Sequence, residues 1–452
     1  MNIYIIVESP KRELDARIFL AMKLLKFGFR PHIVKKSRLF EKLNLIEPGI
    51  LFFKSFGPKY EKFIKNIKKY NHEITGIDEE GLQLYSDATL IGEKRFSKKT
   101  IFNSKVLFSW GDFTKSIYKK TVDKKIKIIS SGNPRIDLIK NTKKIYHEDS
   151  KKLKKKYGKF ILIPTQFLKG NNASGVKMSS LVKLPRTSKL SNIEKIRYKK
   201  NFVYQLKSLK KFEVLYNFLS KNFSNKKFII RPHPSENLKY YQNFDKKYKN
   251  IKVVTDNQPI NPWILASDFV ISNNCTTAIE AFFIKGNSIN YLPYKDLSQE
   301  YNLNKMLSIE SRSLKHLSKL LKNDNLNKIK IDKKKLKKLK SIIHNYDQTN
   351  SYDVIGRTLS KIYKNRFNSK EKEKEGFLTL KFFFYFLKTK IFEIRNFLFY
   401  RNRPEYLVEK SKSGFTKKQI EQKINTLSKI DSFLKKCKVE QKYYGIFSIK
   451  KN

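Results

Sequence analysis

The sequence has few of the residues that mark several common protein classes. Among its 452 residues there are two cysteines, two tryptophans and six histidines. Cys275 and Cys437 are too few for a disulfide framework or a cysteine-rich zinc site, so we expect a reducing compartment. The first residues have neither the basic start nor the apolar core of a signal peptide. These features predict a cytoplasmic protein.

Familiar cofactor and catalytic motifs are also absent from the sequence. It contains no GxGxxG turn, no P-loop, no His/Cys cluster with metal-ligand spacing and no nucleophile elbow of the GxSxG kind. We therefore expect neither a bound cofactor nor a metal ion.

Acidic residues are scarce. There are 40 Asp and Glu against 98 Lys and Arg, which gives a formal net charge of +58. Such an excess is typical of proteins that bind nucleic acid or an anionic membrane. Here it is nearly all lysine, spread along the whole chain beside abundant Asn and Ile, a pattern that coding bias towards A and T also produces. Because no recognition motif accompanies it, we expect no specific nucleic-acid partner and retain a solvated surface and a membrane surface as interpretations.

Core-forming residues are plentiful, with 40% hydrophobic residues and 35 Phe, and the length suits two domains. Short apolar runs alternate with helical stretches in both halves, which predicts mostly parallel sheets with helices on both faces. The predicted fold is α/β, with two Rossmann-like domains facing a cleft. We assign an acceptor domain to residues 1–150, a donor-nucleotide domain to 151–330 and a basic helical tail to 331–452.

The tail contains one segment dense in Phe, Leu and Tyr, Gly376–Arg401, which charged residues interrupt too often for it to span a bilayer. On a helix, Lys381, Lys388 and Arg395 share one face beside an apolar stripe. This pattern suits a helix in the membrane interface, and packing on the catalytic body is the alternative. The stripe consists of Phe383, Leu387, Ile391, Ile394 and Leu398.

An acidic loop follows the predicted strand Glu73–Ile77. Asp78, Glu79 and Glu80 are consecutive, and Gly81 closes the loop. Sugar transfer to a hydroxyl requires a base, and a carboxylate at the end of a strand can serve. We therefore predict the catalytic base among these three residues, with a structural turn as the alternative.

A histidine lies between two prolines at the end of another predicted strand, in the sequence Arg231-Pro232-His233-Pro234. Each proline fixes its own φ near about −65° and restricts the preceding residue, so the imidazole is held in place. A histidine beside an arginine suits a phosphate group. Arg231, His233 and Pro234 are therefore predicted donor-binding residues, with a structural turn as the alternative.

A third strand, Phe269–Ser272, runs into a polar turn and a helix that starts near Thr276. The N-terminus of a helix binds anions, and threonine hydroxyls add donors, which predicts a phosphate site; a simple N-cap is the alternative. The candidate residues are Ser272, Asn274, Thr276, Thr277 and Glu280.

Two further candidate positions lie at strand ends in the first half. Glu8 and Arg12 follow the first strand, where an acceptor would approach, and Arg135 follows the turn Gly132-Asn133-Pro134. We predict that these residues contact the acceptor or line the cleft. Ordinary structural ion pairs are the alternative.

Together these motifs resemble the bacterial family of surface carbohydrate biosynthesis proteins. The resemblance covers most of the chain and rests on the acidic loop, the His-Pro motif and the sequences at Val7–Ala16, Ser109–Gly111, Gly132–Arg135 and Asn274–Ala281. The chain is more distantly similar to bacterial sialyltransferases and Kdo transferases, which share an acidic loop, a His-Pro dipeptide and a Ser/Thr pair in this order. The third motif departs in having Thr-Thr, which keeps both hydroxyls.

The resemblance implies a GT-B glycosyltransferase that acts without metal and with inversion. Glu79 would be the favoured base, His233-Pro234 would contact a CMP-linked donor, and Thr276-Thr277 would hold its phosphate. It further implies an acidic sugar of the sialic-acid or Kdo type, a glycan or lipid-linked glycan acceptor and a product in capsule or lipopolysaccharide. The tail segment, in its membrane interpretation, predicts peripheral association with the inner face of the cytoplasmic membrane. The alternatives are a CDP-glycerol or CDP-ribitol phosphotransferase, a UDP-sugar 2-epimerase and a non-catalytic membrane assembly protein.

Overall fold

The computed structural model describes residues 1–8, 10–79, 96–102, 104–173, 192–256, 258–322, 329–363, 391, 415–443 and 445–451. The predicted membrane-interface segment 376–401 lies outside these residues apart from Ile391. Its helix therefore remains a prediction.

Strands and helices alternate over the first 130 residues, as the spacing of their apolar runs predicts. The strands are β1 (Asn2–Val7), β2 (Arg30–Lys35), β3 (Ile50–Phe53), β4 (Glu73–Gly76), β5 (Val106–Ser109) and β6 (Lys127–Ser130). The helices are α1 (Pro10–Leu24), α2 (Lys36–Leu39), α3 (Ile64–Lys69), α4 (Lys98–Ile101) and α5 (Asp112–Lys119), with 3-10 segments at Leu25–Phe27 and Pro58–Phe63. The strands β1, β3, β4 and β5 are buried throughout, as parallel strands covered on both faces are.

A second alternation occupies the middle of the chain. Its strands are β7 (Ile161–Pro164), β8 (Phe228–Arg231), β9 (Ile251–Val253), β10 (Phe269–Ser272), β11 (Ile289–Tyr291) and β12 (Ile309–Ser311). Its helices are α6 (Pro134–Lys140), α7 (Thr142–Tyr157), α8 (Asn192–Asn222), α9 (Leu238–Lys247), α10 (Ile260–Ala266), α11 (Thr277–Lys285), α12 (Asn302–Met306), α13 (Leu314–Lys322) and α14 (Lys333–Ile342).

The described part of the C-terminal region contains both helices and strands. These are α15 (Ser351–Tyr363), α16 (Lys417–Leu427), a 3-10 segment at Ser432–Lys436, β13 (Cys437–Tyr443) and β14 (Ile446–Lys451). A capping box starts α16, because the side-chain oxygens of Thr416 and Gln419 each accept a hydrogen bond from the other's backbone N–H.

The chain divides into two compact units. The described parts of unit 1 lie within Met1–Glu79, Glu93–Arg135 and Asp347–Asn452, and those of unit 2 lie within Ile136–Tyr346.

Unit 1 is built on a sheet with the order β13-β14-β2-β1-β3-β4. The strands β2, β1, β3 and β4 are parallel, and a bridge between Ile77 and Phe108 continues the sheet towards the parallel pair β5 and β6. The last two strands are antiparallel and pair with β2. His32 of β2 and Ser448 of β14 are joined by a side-chain hydrogen bond of 2.8 Å.

Unit 2 contains a fully parallel sheet with the order β12-β11-β10-β7-β8-β9. Successive residues of β7 enter two different cores: Ile161 and Ile163 pack with Phe212 of α8, whereas Leu162 packs with Trp263 of α10. Helices thus cover both faces. The prediction of an α/β fold with two Rossmann-like domains is confirmed by the sheets of the two units.

The domain limits differ from the predicted ones. Residues 347–363 and 415–451 belong to unit 1, so the region predicted as a helical tail over 331–452 also supplies two strands of the first sheet. The strand β13 was missed because it lies at an edge and carries Lys438, Glu440 and Lys442, so it has no apolar run. The described parts of residues 331–452 therefore divide between unit 2, up to Tyr346, and unit 1, from Asp347.

Candidate functional site

The strand order of unit 2 fixes where a ligand can bind. The strands β7 and β10 are the first and fourth strands of unit 2 along the chain, and they are neighbours at the centre of its sheet. From β7 the strands β8 and β9 follow towards one edge, and from β10 the strands β11 and β12 follow towards the other. In open α/β sheets, ligands bind outside the carboxyl ends of the strands at such a switch point. In unit 2 this point lies between Gln166, after β7, and Asn273, after β10.

A cavity lies at this switch point. Six carboxamide side chains line it: Gln166, Asn201, Gln205, Asn273, Asn274 and Gln299. The remaining lining residues are Phe167, Tyr204, Ser208, Tyr291, Leu292 and Tyr301. None of these side chains carries a charge, although 31% of the residues in the chain are charged.

The two loops that form the switch point are joined directly. The side-chain oxygen of Asn273 accepts a hydrogen bond of 3.1 Å from the backbone N–H of Gln166, and its Nδ2 donates to the Gln166 carbonyl at 3.4 Å. The Asn273 side chain therefore pairs with both backbone groups of Gln166 and holds the two loops together.

A row of amides from α8 forms another wall. Asn201 Nδ2 donates to Gln299 Oε1 at 2.8 Å, and Gln205 Nε2 donates to Asn201 Oδ1 at 3.0 Å. The backbone N–H of Lys169 in turn donates to Gln205 Oε1 at 2.7 Å. Because each bond has a defined donor and acceptor, the orientation of all three amides is fixed.

The buried carboxylate of Glu236 connects the β7 and β8 loops. It accepts hydrogen bonds from Thr165 Oγ1 at 3.0 and 3.1 Å, from the backbone N–H of Phe167 at 2.9 Å and from the Tyr241 hydroxyl. Glu236 is 1% exposed. Burial raises its pKa to about 7, against the opposing effect of these hydrogen bonds.

His233 of the second motif lies in the turn that Glu236 anchors, because the Glu236 N–H donates to the His233 carbonyl at 2.8 Å. Its Nδ1 accepts a hydrogen bond of 3.1 Å from the Ser235 N–H. The neutral ring therefore carries its proton on Nε2, which is the tautomer that can donate to a phosphate oxygen. His233 is half-buried, and Pro234 is exposed.

Arg231 has several protein partners. Its Nη2 lies 2.5 Å from Asp256 Oδ1 and 3.0 Å from the Gln258 carbonyl, and its guanidinium carbon lies 4.7 Å from the centre of the Trp263 ring. Burial lowers its pKa, and Asp256 opposes that effect. These contacts give Arg231 a role in holding the loop at 256–259, and the predicted phosphate contact stays a prediction.

The third motif forms a compact turn at the start of α11. Asn274 has a left-handed φ of 50°, its backbone N–H donates to Asn290 Oδ1 at 2.9 Å, and its side chain pairs with the backbone of Gln299 and Tyr301. Asn274 thus shapes the cavity wall. Ser272, at the end of β10, is buried and donates to the Ile289 carbonyl at 3.4 Å.

The predicted phosphate-binding hydroxyls lie in the same turn. Thr276 is the N-cap residue of α11, and its side chain makes no capping hydrogen bond. The Thr277 hydroxyl lies 3.2 Å from Cys275 Sγ. Glu280 is buried in the first turn of the helix, and Asn261 Nδ2 donates to it at 3.4 Å. A phosphate contact for the two threonines remains a prediction.

In unit 1 the switch point lies between β1 and β3, and a cluster of charged side chains occupies it. Lys54, after β3, lies 3.0 Å from Glu8 Oε2 and also contacts Glu13. Lys36 and Lys59 approach Glu8 at 2.9 and 3.5 Å. Burial alone would raise the pKa of Glu8, but the three lysines outweigh burial and hold it well below its usual range. Glu8 therefore has ion-pair partners, as the structural alternative predicts.

The acidic loop lies at the same edge of the sheet. Asp78 is buried, and its carbonyl accepts a hydrogen bond of 2.6 Å from Trp110 Nε1. Glu79 is buried, 2.9 Å from Arg17 Nη2. Gly76 allows the close approach of β4 to β3, since a Cβ there would lie 2.1 Å from the Phe53 carbonyl oxygen. Glu80 and Gly81 lie outside the described residues.

The remaining predicted positions have local roles or are not described. Asn133 Oδ1 accepts a hydrogen bond of 2.8 Å from the Arg135 N–H, which caps α6, and Pro134 is the first residue of that helix. The Arg135 side chain is half-buried. The side chain of Arg12 lies outside what the structure describes.

Within the described ranges the structure has neither a metal-binding cluster nor a membrane-spanning helix. No cluster of three or more His, Cys, Asp or Glu side chains there could hold a metal ion. No helix there combines the length and apolar character that crossing a bilayer requires.

Sequence reasoning missed Gln166, Asn273 and Glu236. Gln166 lies two residues after the apolar run Phe160–Pro164, and Asn273 follows the predicted strand Phe269–Ser272 directly. The switch-point rule applied to those strand ends could have identified both. Glu236 gave a weaker signal as a lone acidic residue after the His-Pro motif.

No family model matches the chain, and no curated protein matches its sequence. Solved structures match it at low identity. UDP-GlcNAc 2-epimerase of Methanocaldococcus jannaschii, bound to UDP-GlcNAc and UDP, is 16% identical with a TM-score of 0.47, over 80% of this chain and all of that one. S. aureus MnaA with UDP is 12% identical with a TM-score of 0.49, over 82% and 99% of the two chains. The wall teichoic acid polymerase TagF is 14% identical with a TM-score of 0.45, over 81% and 90%.

Proposed function

We propose that the protein is a GT-B glycosyltransferase that uses a nucleotide sugar to build a surface carbohydrate. The observation that carries this proposal is the cavity at the switch point between β7 and β10 in unit 2. A cavity at this point of an open α/β sheet is the default site for a nucleotide-containing ligand.

The orientation of His233 supports the phosphate part of the proposal. The backbone N–H of Ser235 occupies Nδ1, so the imidazole can donate through Nε2 without a change of tautomer. A donor beside the leaving phosphate stabilises the charge that develops there during glycosyl transfer. We propose this role for His233, with Thr276 and Thr277 as further donors. No cofactor or metal is part of the proposed reaction.

The finer parts of the proposal rest on the sequence motifs. They are a CMP-linked donor, inversion at the anomeric carbon and Glu79, Asp78 or Glu80 as the base. They also include a glycan or lipid-linked glycan acceptor, a product in capsule or lipopolysaccharide, and attachment of the cytoplasmic enzyme to the membrane surface. The acidic sugar that the same resemblance implies has no cationic partner among the side chains that line the cavity.

Thermal unfolding with a panel of nucleotides tests the proposal. A ligand that binds only the folded protein raises its melting temperature, so CMP should raise it more than UDP or GDP. His233→Ala should reduce the shift, because it removes the Nε2 donor, while His316→Ala, on α13 of the same unit, should leave it unchanged. Absence of a shift with every nucleotide would contradict the proposal and favour a non-catalytic assembly protein.

Product analysis separates the enzymatic alternatives. A glycosyltransferase releases the nucleotide only when an acceptor is present and forms a glycosidic bond. Formation of a phosphodiester from CDP-glycerol would favour the phosphotransferase. Conversion of UDP-GlcNAc without any acceptor would favour the 2-epimerase.

A further inference from the structure

The cavity in unit 2 has the composition of a site for a ligand without charge. Its polar side chains are carboxamides and hydroxyls, which offer both donors and acceptors. Sugar hydroxyls are also both donors and acceptors, so each hydroxyl can donate a hydrogen bond to these side chains or accept one from them. A carboxylate placed there would lose its hydration without gaining a cation, which is strongly unfavourable.

One side-chain atom in the wall lacks a partner. The oxygen Oε1 of Gln166 is shielded from solvent, and no described residue donates a hydrogen bond to it. A buried acceptor without a partner lowers the stability of the unliganded protein. It gains a full hydrogen bond when a ligand hydroxyl or amide reaches it. Gln166 lines the cavity at the switch point, but this oxygen is itself covered, so a ligand reaches it only if the side chain turns.

The amides of α8 are fixed before any ligand arrives. Each carboxamide has two N–H donors and two lone pairs on its oxygen, so Asn201 and Gln205 retain hydrogen-bonding capacity beyond the bonds that connect them. Because the row is held at both ends, by Gln299 and by the Lys169 N–H, a ligand need not order these side chains.

One buried charge beside the wall is compensated by its neighbours. Glu300, between the lining residues Gln299 and Tyr301, is fully buried and lies 2.7 Å from Arg312 Nη2 and 3.4 Å from Lys305 Nζ. This network lowers the pKa of Glu300, against the opposing effect of burial. The charge of Glu300 is thus compensated, whereas Lys200 and Lys207 lie next in sequence to the lining residues Asn201 and Ser208.

We propose that this cavity receives the glycosyl moiety of the donor and that this moiety is uncharged, such as a hexose or an N-acetylhexosamine. This inference rests on the proposed function, because it assumes that the ligand of unit 2 is a nucleotide sugar. It replaces the acidic sugar that the motif resemblance implies.

Isothermal titration of the full chain with four donors tests the inference. The ligands are UDP-glucose and UDP-glucuronate, which differ only at C6, and CDP-glucose and CMP-N-acetylneuraminate for the cytidine series. UDP-glucose should bind about 10-fold or more tightly than UDP-glucuronate. CDP-glucose should also bind more tightly than CMP-N-acetylneuraminate, and that pair differs by a phosphate as well as by the sugar.

Variants then assign the preference to the cavity. Gln166→Leu and, independently, Gln205→Leu should weaken binding of the neutral donors about 5- to 10-fold. They should leave the affinity for free UDP and CMP unchanged. Gln242→Leu, an exposed glutamine on α9 of the same unit, is the matched control and should change neither.

The outcomes separate this inference from the proposed function. Equal or tighter binding of the acidic donors overturns the inference and leaves the glycosyltransferase proposal standing. An equal loss of affinity for free nucleotide and for nucleotide sugar in both Gln variants also overturns it, because the cavity would then hold another part of the donor. If no nucleotide and no nucleotide sugar binds, the proposed function fails and the inference fails with it.

Discussion

The guanidinium of Arg17 lies 2.9 Å from the carboxylate of Glu79, and both side chains are buried. The guanidinium also lies over the ring of Phe52, at 5.3 Å from its centre. Arg17 Nη2 makes no aligned hydrogen bond with a described residue, so its contact with Glu79 is one of charge. The favoured candidate base therefore has a structural partner, and its chemical and structural roles must be measured separately.

Glu79→Gln should lower kcat by roughly 100-fold or more if Glu79 removes the acceptor proton, because the amide cannot accept it. Nucleotide affinity should persist. The change should also destabilise unit 1 by about 3 kcal/mol, since it leaves a buried arginine without its counter-charge. Kinetics and urea unfolding measure the two effects.

The double variant Arg17→Met with Glu79→Gln distinguishes the roles. It removes both charges, so much of the lost stability should return, while kcat should stay low. Recovery of kcat together with stability would mean that Glu79 acts only in packing. Asp78→Asn and Glu80→Gln test the other two candidates, and near-normal activity in all three single variants would contradict a base in this loop.

The pH dependence of stability should reveal Glu236. Its pKa is about 7 in the folded protein against 4.5 for a free glutamate. Between these values the unfolded chain loses the proton while the folded protein keeps it, so this group makes the free energy of unfolding fall as pH rises. The loss should be at most ~3 kcal/mol and complete near pH 7 to 8.

Glu236→Gln removes the titrating group and should flatten this part of the profile. Urea unfolding of both proteins at pH 5 and pH 8 measures it, and the difference between wild type and variant cancels the contributions of other groups. Glu148→Gln, an exposed residue on α7, should leave the slope unchanged. Parallel profiles for wild type and Glu236→Gln would show that Glu236 is ionised throughout this range.

Packing of α15 on unit 1 should be sensitive to one methyl group at Gly356. A Cβ at this position would lie 2.3 Å from the ring of Phe27. In an open helix, Gly→Ala stabilises by about 1 kcal/mol, but here the overpacking should outweigh that gain and leave a net loss of about 1–2 kcal/mol. Thermal unfolding measures the change.

The compensating variant Phe27→Leu with Gly356→Ala should recover most of the loss, because the smaller side chain leaves room for the methyl group. Phe27→Leu alone is the control for the lost ring. An increase in melting temperature for Gly356→Ala itself would contradict the close contact between α15 and Phe27.

Membrane attachment through the segment Gly376–Arg401 can be tested by charge reversal. Truncation before Gly376 would also remove β13 and β14 from the sheet of unit 1, so substitution is the cleaner change. Replacing Lys381, Lys388 and Arg395 by Glu should release the protein from anionic liposomes, since each cation near such a surface contributes on the order of 1 kcal/mol. Flotation at low and high salt measures binding.

The matched control reverses Lys334, Lys337 and Lys338, exposed residues of α14, which gives the same change in net charge. It should keep the protein on the liposomes if attachment depends on the segment. Equal release by both triple variants would point to the overall charge of the chain instead.

The sequence predicted the strands that are buried on both faces. The predicted strand Phe269–Ser272 coincides with β10, and the apolar run Phe160–Pro164 differs from β7 by one residue. Such strands are short apolar runs between polar turns, so their signal is local. The edge strand β13 has no such run and could not be found in this way.

The candidate site was predicted only in part, because some of its contacts join residues close in sequence and others join residues far apart in sequence. His233 and Asn274 lie in turns whose geometry is determined by neighbouring prolines or polar residues. The ion pair between Arg231 and Asp256 joins residues 25 positions apart, and the bond between Gln166 and Asn273 joins residues 107 positions apart. Those partners are brought together only by the order of strands in the sheet. That order cannot be predicted from local sequence patterns.

The pairing of β14 with β2 has a consequence for protein synthesis. His32 and Ser448 are 416 positions apart, and a ribosome that adds about 5–20 residues per second needs roughly 20–80 s to make the chain between them. The middle of the chain, with all six strands of unit 2, emerges within that interval and can fold first. During the same time the outer side of β2 lacks its neighbour and is an open strand edge, the kind of surface on which nascent chains associate with one another.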